Sequence, residues 1–235
     1  MAKLFRQAAK TKYFPRLKKL LRNVAESDPV MTVPGKSTQE RNFVFELELG
    51  CLCACSDMAV ESHDEPDFVA TKEKAKWNFA CKMIYSVNSN TVGDNIEKGI
   101  TQILRFPSDY GMVVVGLSNR MPEERFLPLL DKENDIWGAF ASVESATSRL
   151  RDELNAFLGQ VRPQATTRFK ADEDPRFRGI LVISHTACGI RGILAPLTAV
   201  ALIHRMDILD GKSIIGPEKE LAERLNKVAQ NAFFA

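Results

Sequence analysis

Asp67 and Lys82, in the stretch "EPDFVATKEKAKWNFACKM", are residue types that phosphodiester chemistry uses. Cutting a phosphodiester with a divalent ion needs a carboxylate to hold the ion. It also needs a cation to orient water or to steady the charge that develops. Mg2+ takes one or two protein carboxylates and leaves its other positions to water and phosphate. Asp67 follows a proline and opens the run "DFVAT"; Lys82 lies in "WNFACKMIY", beyond the charged turn "KEKAK". Two such runs joined by a short polar turn predict an antiparallel hairpin. Cross-strand neighbours sit about 5 Å apart, so Asp67 and residues 80 and 82 can converge on one ion. Period-2 alternation places Trp77, Phe79, Cys81 and Met83 on one face and Asn78, Ala80 and Lys82 on the other. The main-chain carbonyl of Cys81 can point at the same ion. Position 80, where an acid would complete the set, is alanine.

The flanking pattern predicts the elements that hold this hairpin. Residues 3–24 read as a basic helix with Leu4, Leu17, Leu20 and Leu21 apolar, suited to docking on a partner. The same segment is acid-poor up to Glu26, a bias shared with organelle transit peptides. Residues 27–37 form a linker with two prolines and a glycine. Ser37 and Glu40 fit a capping box. The helix that follows, "QERNFVFELELGCLCACS", is apolar nearly all round and therefore buried. Glu46 and Glu48 are conspicuous inside it. "MAVES" (58–62) suits a short strand. Asp94 and Glu97 suggest a second capping box, opening a helix to about Arg105 with Ile96, Ile100 and Ile103 inward. "GMVVVGLS" (111–118) is a continuous apolar run, typical of a central strand. Beyond it the pattern predicts mostly helix over 121–161, a polar loop over 162–179 and a strand over 180–187. A helix is expected around 193–206 and a last one from Pro217. Helices layered with strands in this order describe an α/β domain.

Composition narrows the partners. The formal net charge is only +2, so attraction to nucleic acid must come from local patches. Lys72, Lys74 and Lys76 at the hairpin tip, with Arg168, Lys170, Arg176 and Arg178, are the candidate phosphate contacts. No apolar run approaches the roughly 20 residues of a membrane helix. The longest, "ILAPLTAVALI", is short and interrupted by Pro196, and reads as a buried helix. Five cysteines, three of them in "CLCAC", suit a reducing cytoplasm rather than a disulfide scaffold. Helical spacing turns Cys53 away from Cys51 and Cys55, so the trio reads as small buried residues rather than a zinc site. His63 suits a loop, and His185 and His204 suit core or helix faces. Neither Gly-Lys-Ser in the chain has the upstream glycine that a phosphate-binding GxxxxGK(S/T) loop needs, which argues against ATP use within this chain.

Pro66–Asp67 followed by "ACK" at 80–82 resembles the PD-(D/E)xK nuclease superfamily, with Ala80 where that pattern has Asp or Glu. The resemblance includes a glutamate-bearing helix before the hairpin ("FELEL"), a glutamine-bearing helix after it ("NIEKGITQIL") and a buried strand next. It implies a restriction-endonuclease-like three-layer core, a mixed central sheet flanked by helices. That core would occupy residues 38–235, with a basic helical extension over 1–37 and a mainly helical insert at about 121–178. It implies an Mg2+- or Mn2+-dependent endonuclease acting on DNA, with RNA left open, in the cytoplasm. Members serve restriction, repair and antiviral defence. A homodimer, or a partner subunit supplying an ATPase or target recognition, would complete such an assembly. Matched residue by residue, Asp67 resembles the metal-binding aspartate, Lys82 the catalytic lysine and Gln102 the post-hairpin glutamine. Glu46 resembles the helix glutamate, preferred over Glu48 because Gly50 and Cys53 are its small neighbours. The metal set so implied is Asp67, Glu46, the Cys81 carbonyl and the vacancy at Ala80. Ala80 reads as an acid-to-alanine change that disables the site. The alternatives are a non-catalytic nucleic-acid-binding or scaffolding subunit, or compensation by Glu46 or Glu48. The favoured account expects an acid restored at position 80 to give metal-dependent DNA cleavage.

Overall fold

The computed structural model describes residues 2–18, 21–22, 25, 39–63, 65–85, 89–117, 140–169, 174–190, 193–204 and 216–234. Strands β1 (Ala59–Ser62), β2 (Phe68–Lys72), β3 (Ala75–Met83), β4 (Tyr110–Gly116), β5 (Phe177–Ile190) and β6 (Ile193–His204) form one sheet in sequence order. β1–β2, β2–β3 and β5–β6 are antiparallel, while β3–β4 and β4–β5 are parallel. Parallel neighbours need crossover connections. Helix α3 (Ser89–Arg105) makes the first, and α4 (Val143–Phe169) lies in the second. The other helices are α1 (Ala2–Ala8), α2 (Gln39–Cys55) and α5 (Pro217–Phe234). The result is an α/β domain whose mixed sheet is flanked by helices on both faces. No helix among the described residues is long and apolar enough to cross a membrane.

Strand alternation sorts the core into two clusters. Phe79, Met112, Val114, Leu181 and Ile183 face α2 and α5, joining Phe45, Leu49, Leu52 and Leu225. Ala80, Val113, Val115, Ile180 and Val182 face α3 and α4, joining Ile96, Ile100, Ile103, Leu150 and Leu154. β4 is therefore covered on both faces, which is why its sequence shows no polar alternation. The basic N-terminal segment is docked rather than projecting. Leu4 and Ala8 of α1, and Leu17 of a 3-10 turn (Phe14–Leu17), are fully buried in the α2 cluster.

Four expectations need correction. The helix expected over residues 3–24 stops at Ala8, and a turn and the 3-10 segment Phe14–Leu17 follow it. The run at 193–206, expected as a helix, is strand β6 over Ile193–His204, paired with β5 from Ile190↔Ile193 to Gly179↔His204. Leu197 and Ala199 enter one cluster and Val200 the other, so both faces are apolar and periodicity could not separate strand from helix. Pro196 is tolerated because β6 is the sheet edge, where a missing N–H costs no ladder bond. The helix expected to open at Asp94 begins at Ser89, leaving Asp94 inside it. The loop expected over 162–179 is helical as far as Phe169, and β5 begins at Phe177. The 27–37 linker, Ser37, residues 121–139 and Lys170 lie outside the described residues.

Gly99 sets how closely α3 approaches the sheet. A Cβ there would meet both methyls of Val113 at 3.0 Å and the Cβ of Ala80 at 3.5 Å. Glycine inside a helix ordinarily costs about 1 kcal/mol relative to alanine, and here the close packing offsets that. Gly99→Leu is expected to lose about 1–3 kcal/mol of unfolding free energy through overpacking, as measured by urea denaturation.

Candidate active site

The β2–β3 ladder starts at Phe68↔Phe79, and Asp67 sits one residue outside it. Its side chain substitutes for the next rung. Asp67 Oδ2 accepts the main-chain N–H of Cys81 at 2.7 Å. A strand residue's N–H and C=O point the same way, so the Cys81 carbonyl also faces the side that β2 has vacated. Lys82 comes next on β3 and turns toward α3. Its Nζ donates to Gln102 Oε1 at 2.5 Å and lies 3.7 Å from Asp67 Oδ2. Asp67, Lys82 and Gln102, drawn from three elements, thus converge at one point.

Burial shapes the charges there. Desolvation raises the Asp67 pKa above the ordinary carboxylate value, and the Lys82 ammonium and the Cys81 N–H only partly oppose it. Burial likewise pushes the Cys81 thiol well up, and the Asp67 and Glu46 carboxylates add to that shift. Glu46 is a half-buried residue of the otherwise largely buried α2. Glu48 faces elsewhere. It is 1% exposed and lies 3.3 Å from His185 Nδ1 on β5. Burial disfavours the His185 imidazolium, but Glu48 outweighs it and the His185 pKa is raised.

Ala80 does not border a vacancy. It is fully buried among Val113, Ile100 and the Gly99 backbone of α3. An acid at position 80 would therefore start from a fully buried Cβ that faces α3 across the Gly99 backbone. The remaining oxygen donors, Asp67, Glu46 and the Cys81 carbonyl, are chemically suited to a hard ion such as Mg2+ or Mn2+, which needs only one or two carboxylates. They do not suit zinc. Among the described residues no three His, Cys, Asp or Glu side chains are placed to hold a metal. Burial also lifts the Cys51 thiol to about 12 and Cys55 to about 11, so both stay protonated and poor ligands.

Two adjoining clefts open at Lys82. One, of about 580 Å3, runs along α3 past Gln102, Lys98 and Arg105 to Glu65. The other, of about 350 Å3, passes Asn42 of α2, Cys81 and Thr91. The hairpin-tip lysines are elsewhere. Lys76 and Lys82 are separated by six residues of strand, roughly 20 Å. Lys72 lines a separate cavity of about 230 Å3 against α5, and Lys74 is exposed in the turn. Arg176 and Arg178 lie at that same far end and serve the fold. Arg176 binds Asp174 and donates to the Leu104 and Phe106 carbonyls at the end of α3. Arg178 pairs at 2.9 Å with Glu218, which is 3% exposed. Sequence patterning missed the Glu48–His185 pair and a bridge from Arg105 to Glu65, because both join segments distant in sequence. The one local signal was a glutamate inside an apolar helix. Comparison with protein-family models, curated proteins and solved structures finds no match to this chain.

Ala80→Glu is expected to destabilise the fold by more than about 3 kcal/mol in chemical denaturation, since it buries an unpaired charge. Asp67 carries a milder version of the same cost. With its folded pKa above the unfolded one, stability falls as pH rises through the unfolded value toward the folded one, and the loss persists at neutral pH. Asp67→Asn keeps an acceptor for Cys81 and removes the charge. Thermal melts should show a higher Tm at neutral pH and a weaker decline between acid and neutral pH than the parent.

Proposed function

We propose that this chain is a metal-dependent endonuclease domain resembling the PD-(D/E)xK superfamily, acting on DNA, with Glu46 rather than position 80 as its second carboxylate. The observation that carries this reading is the convergence of Asp67, Lys82 and Gln102 at the mouth of a cleft. The element order supports it, with an acid-bearing helix, a strand meander and a glutamine-bearing helix leading into a parallel strand. A restriction-endonuclease-like core is the finer fold assignment that goes with it.

In this reading Asp67 and Glu46 hold Mg2+ or Mn2+, which supplies phosphate polarisation and a more acidic water. Asp67 is fixed by the Cys81 N–H, so little reorganisation is needed to present its carboxylate. Gln102 and Asp67 hold the Lys82 ammonium beside the place where a scissile phosphate would lie. There Lys82 steadies the negative charge that grows on the phosphate oxygens. The cytoplasm suits five free cysteines. A homodimer, or a partner subunit supplying ATPase or target recognition within a bacterial or phage defence system, is the assembly this reading expects.

A second reading is favoured by the packing of Ala80 against Gly99, which removes the position where the superfamily pattern has an acid. Here the domain binds nucleic acid, or scaffolds a partner, without cutting.

Incubation of the purified chain with plasmid, linear and single-stranded DNA and Mg2+ or Mn2+ tests both readings. The first expects cleavage in at least one arm, lowered about 10²–10⁴-fold by Lys82→Ala or Glu46→Gln. Intact DNA in every arm, with salt-sensitive binding retained, overturns it in favour of the second.

A further inference from the structure

The cleft beside Lys82 is crossed by a bridge that the proposed reaction does not use. Arg105, the last residue of α3, places a guanidinium nitrogen 2.5 Å from Glu65 Oε2. Glu65 stands two residues before Asp67, and both members of the bridge line the cleft that contains Lys82 and Gln102. Their side chains are 58% and 40% exposed. An ion pair that open to water contributes little to stability and exchanges partners readily.

The chemistry of the pair suggests what it exchanges for. A guanidinium fork accepts a carboxylate or a phosphate in the same two-point geometry. Asn95, Lys98, Gln102 and Arg105 all line the cleft at helical spacing, so they form one face of α3. That face is about 15 Å long at 1.5 Å per residue. At 3.4 Å per phosphate along a duplex axis it matches about four phosphates of one strand. Charge in the cleft is balanced as it stands. Glu65, Asp94 and Glu97 face Lys82, Lys98 and Arg105, three acids against three bases. Releasing Glu65 leaves the lining one positive charge in excess.

We infer that Glu65 is an internal stand-in for a backbone phosphate, latching Arg105 across the cleft mouth until a nucleic-acid strand displaces it. The inference rests on the nucleic-acid reading above and adds to it a named phosphate contact and its competitor. Strand entry then breaks the Glu65–Arg105 pair and forms an Arg105–phosphate pair. Glu65 returns to water beside the site, where it disfavours strands that fail to engage Arg105.

The test is fluorescence anisotropy of a short fluorescein-labelled DNA duplex, titrated with the full chain over a range of salt concentrations. Four proteins are compared: the parent, Glu65→Gln, Arg105→Gln and the double variant. Both substituted side chains are open to solvent, and matching thermal melts verify equal folding. Glu65→Gln should bind about three- to tenfold tighter at low salt because Arg105 is free for a phosphate. The slope of log affinity against log salt should stay as steep as the parent's or steeper. The gain should vanish in the double variant, which should match Arg105→Gln with a slope shallower than Glu65→Gln by about 0.9, one phosphate's worth. If the parent binds DNA but Glu65→Gln changes nothing, or gains equally without Arg105, the latch is wrong and the nucleic-acid reading stands. If the parent binds neither this duplex nor its single strands at any salt, the nucleic-acid reading falls and the latch with it.

Discussion

The hydrogen bond from the Cys81 main chain to the Asp67 carboxylate is the constraint on which the site depends. A strand ladder would normally continue with backbone groups on both sides. Here β2 stops short, and a side chain takes the next main-chain donor. That one substitution fixes an acid at the point where β2 and β3 part company. It leaves Lys82 free to turn toward α3, and it opens the side of β3 on which the Cys81 carbonyl lies. Because the donor is backbone, the geometry survives changes in the side chain at position 81. The raised Asp67 pKa is the cost of holding that acid in a largely buried place.

The second constraint is steric. α3 must come close enough to bring Gln102 to Lys82, and the surfaces that meet beneath it are Gly99, Ala80 and Val113. Small residues on helix and strand permit that approach. The alanine and the glycine are therefore best understood as a matched pair. With both small, Gln102 is carried to within hydrogen-bond reach of Lys82.

Much of this was legible in the sequence. The hairpin, its alternation and the opposed placement of Asp67 and Lys82 follow from a period of two and a turn of fixed length. The doubly covered β4 announced itself by an unbroken apolar run. What failed to show was long-range. Nothing near Glu48 points to His185, and nothing near Arg176 says that it would close the end of α3. β6 was misread because leucine and alanine favour helices while its pairing with β5 decides the outcome. The α3 start was misplaced because Asp94 and Glu97 mimic a cap one turn or more inside the helix. In each case a tertiary partner, not local preference, selects the conformation.

β6 has a further consequence for assembly. Along the β6 edge, a row of alternate peptide groups faces away from β5, and one of them, the Val200 N–H, already donates to Asn226 Oδ1 of α5 at 3.2 Å. Pro196, tolerated on an edge because its nitrogen faces away from the neighbouring strand, leaves a gap in that row. Continuous sheet extension across two copies would be interrupted there. The β6 edge is in this way closed at two points along its length, Pro196 and Val200.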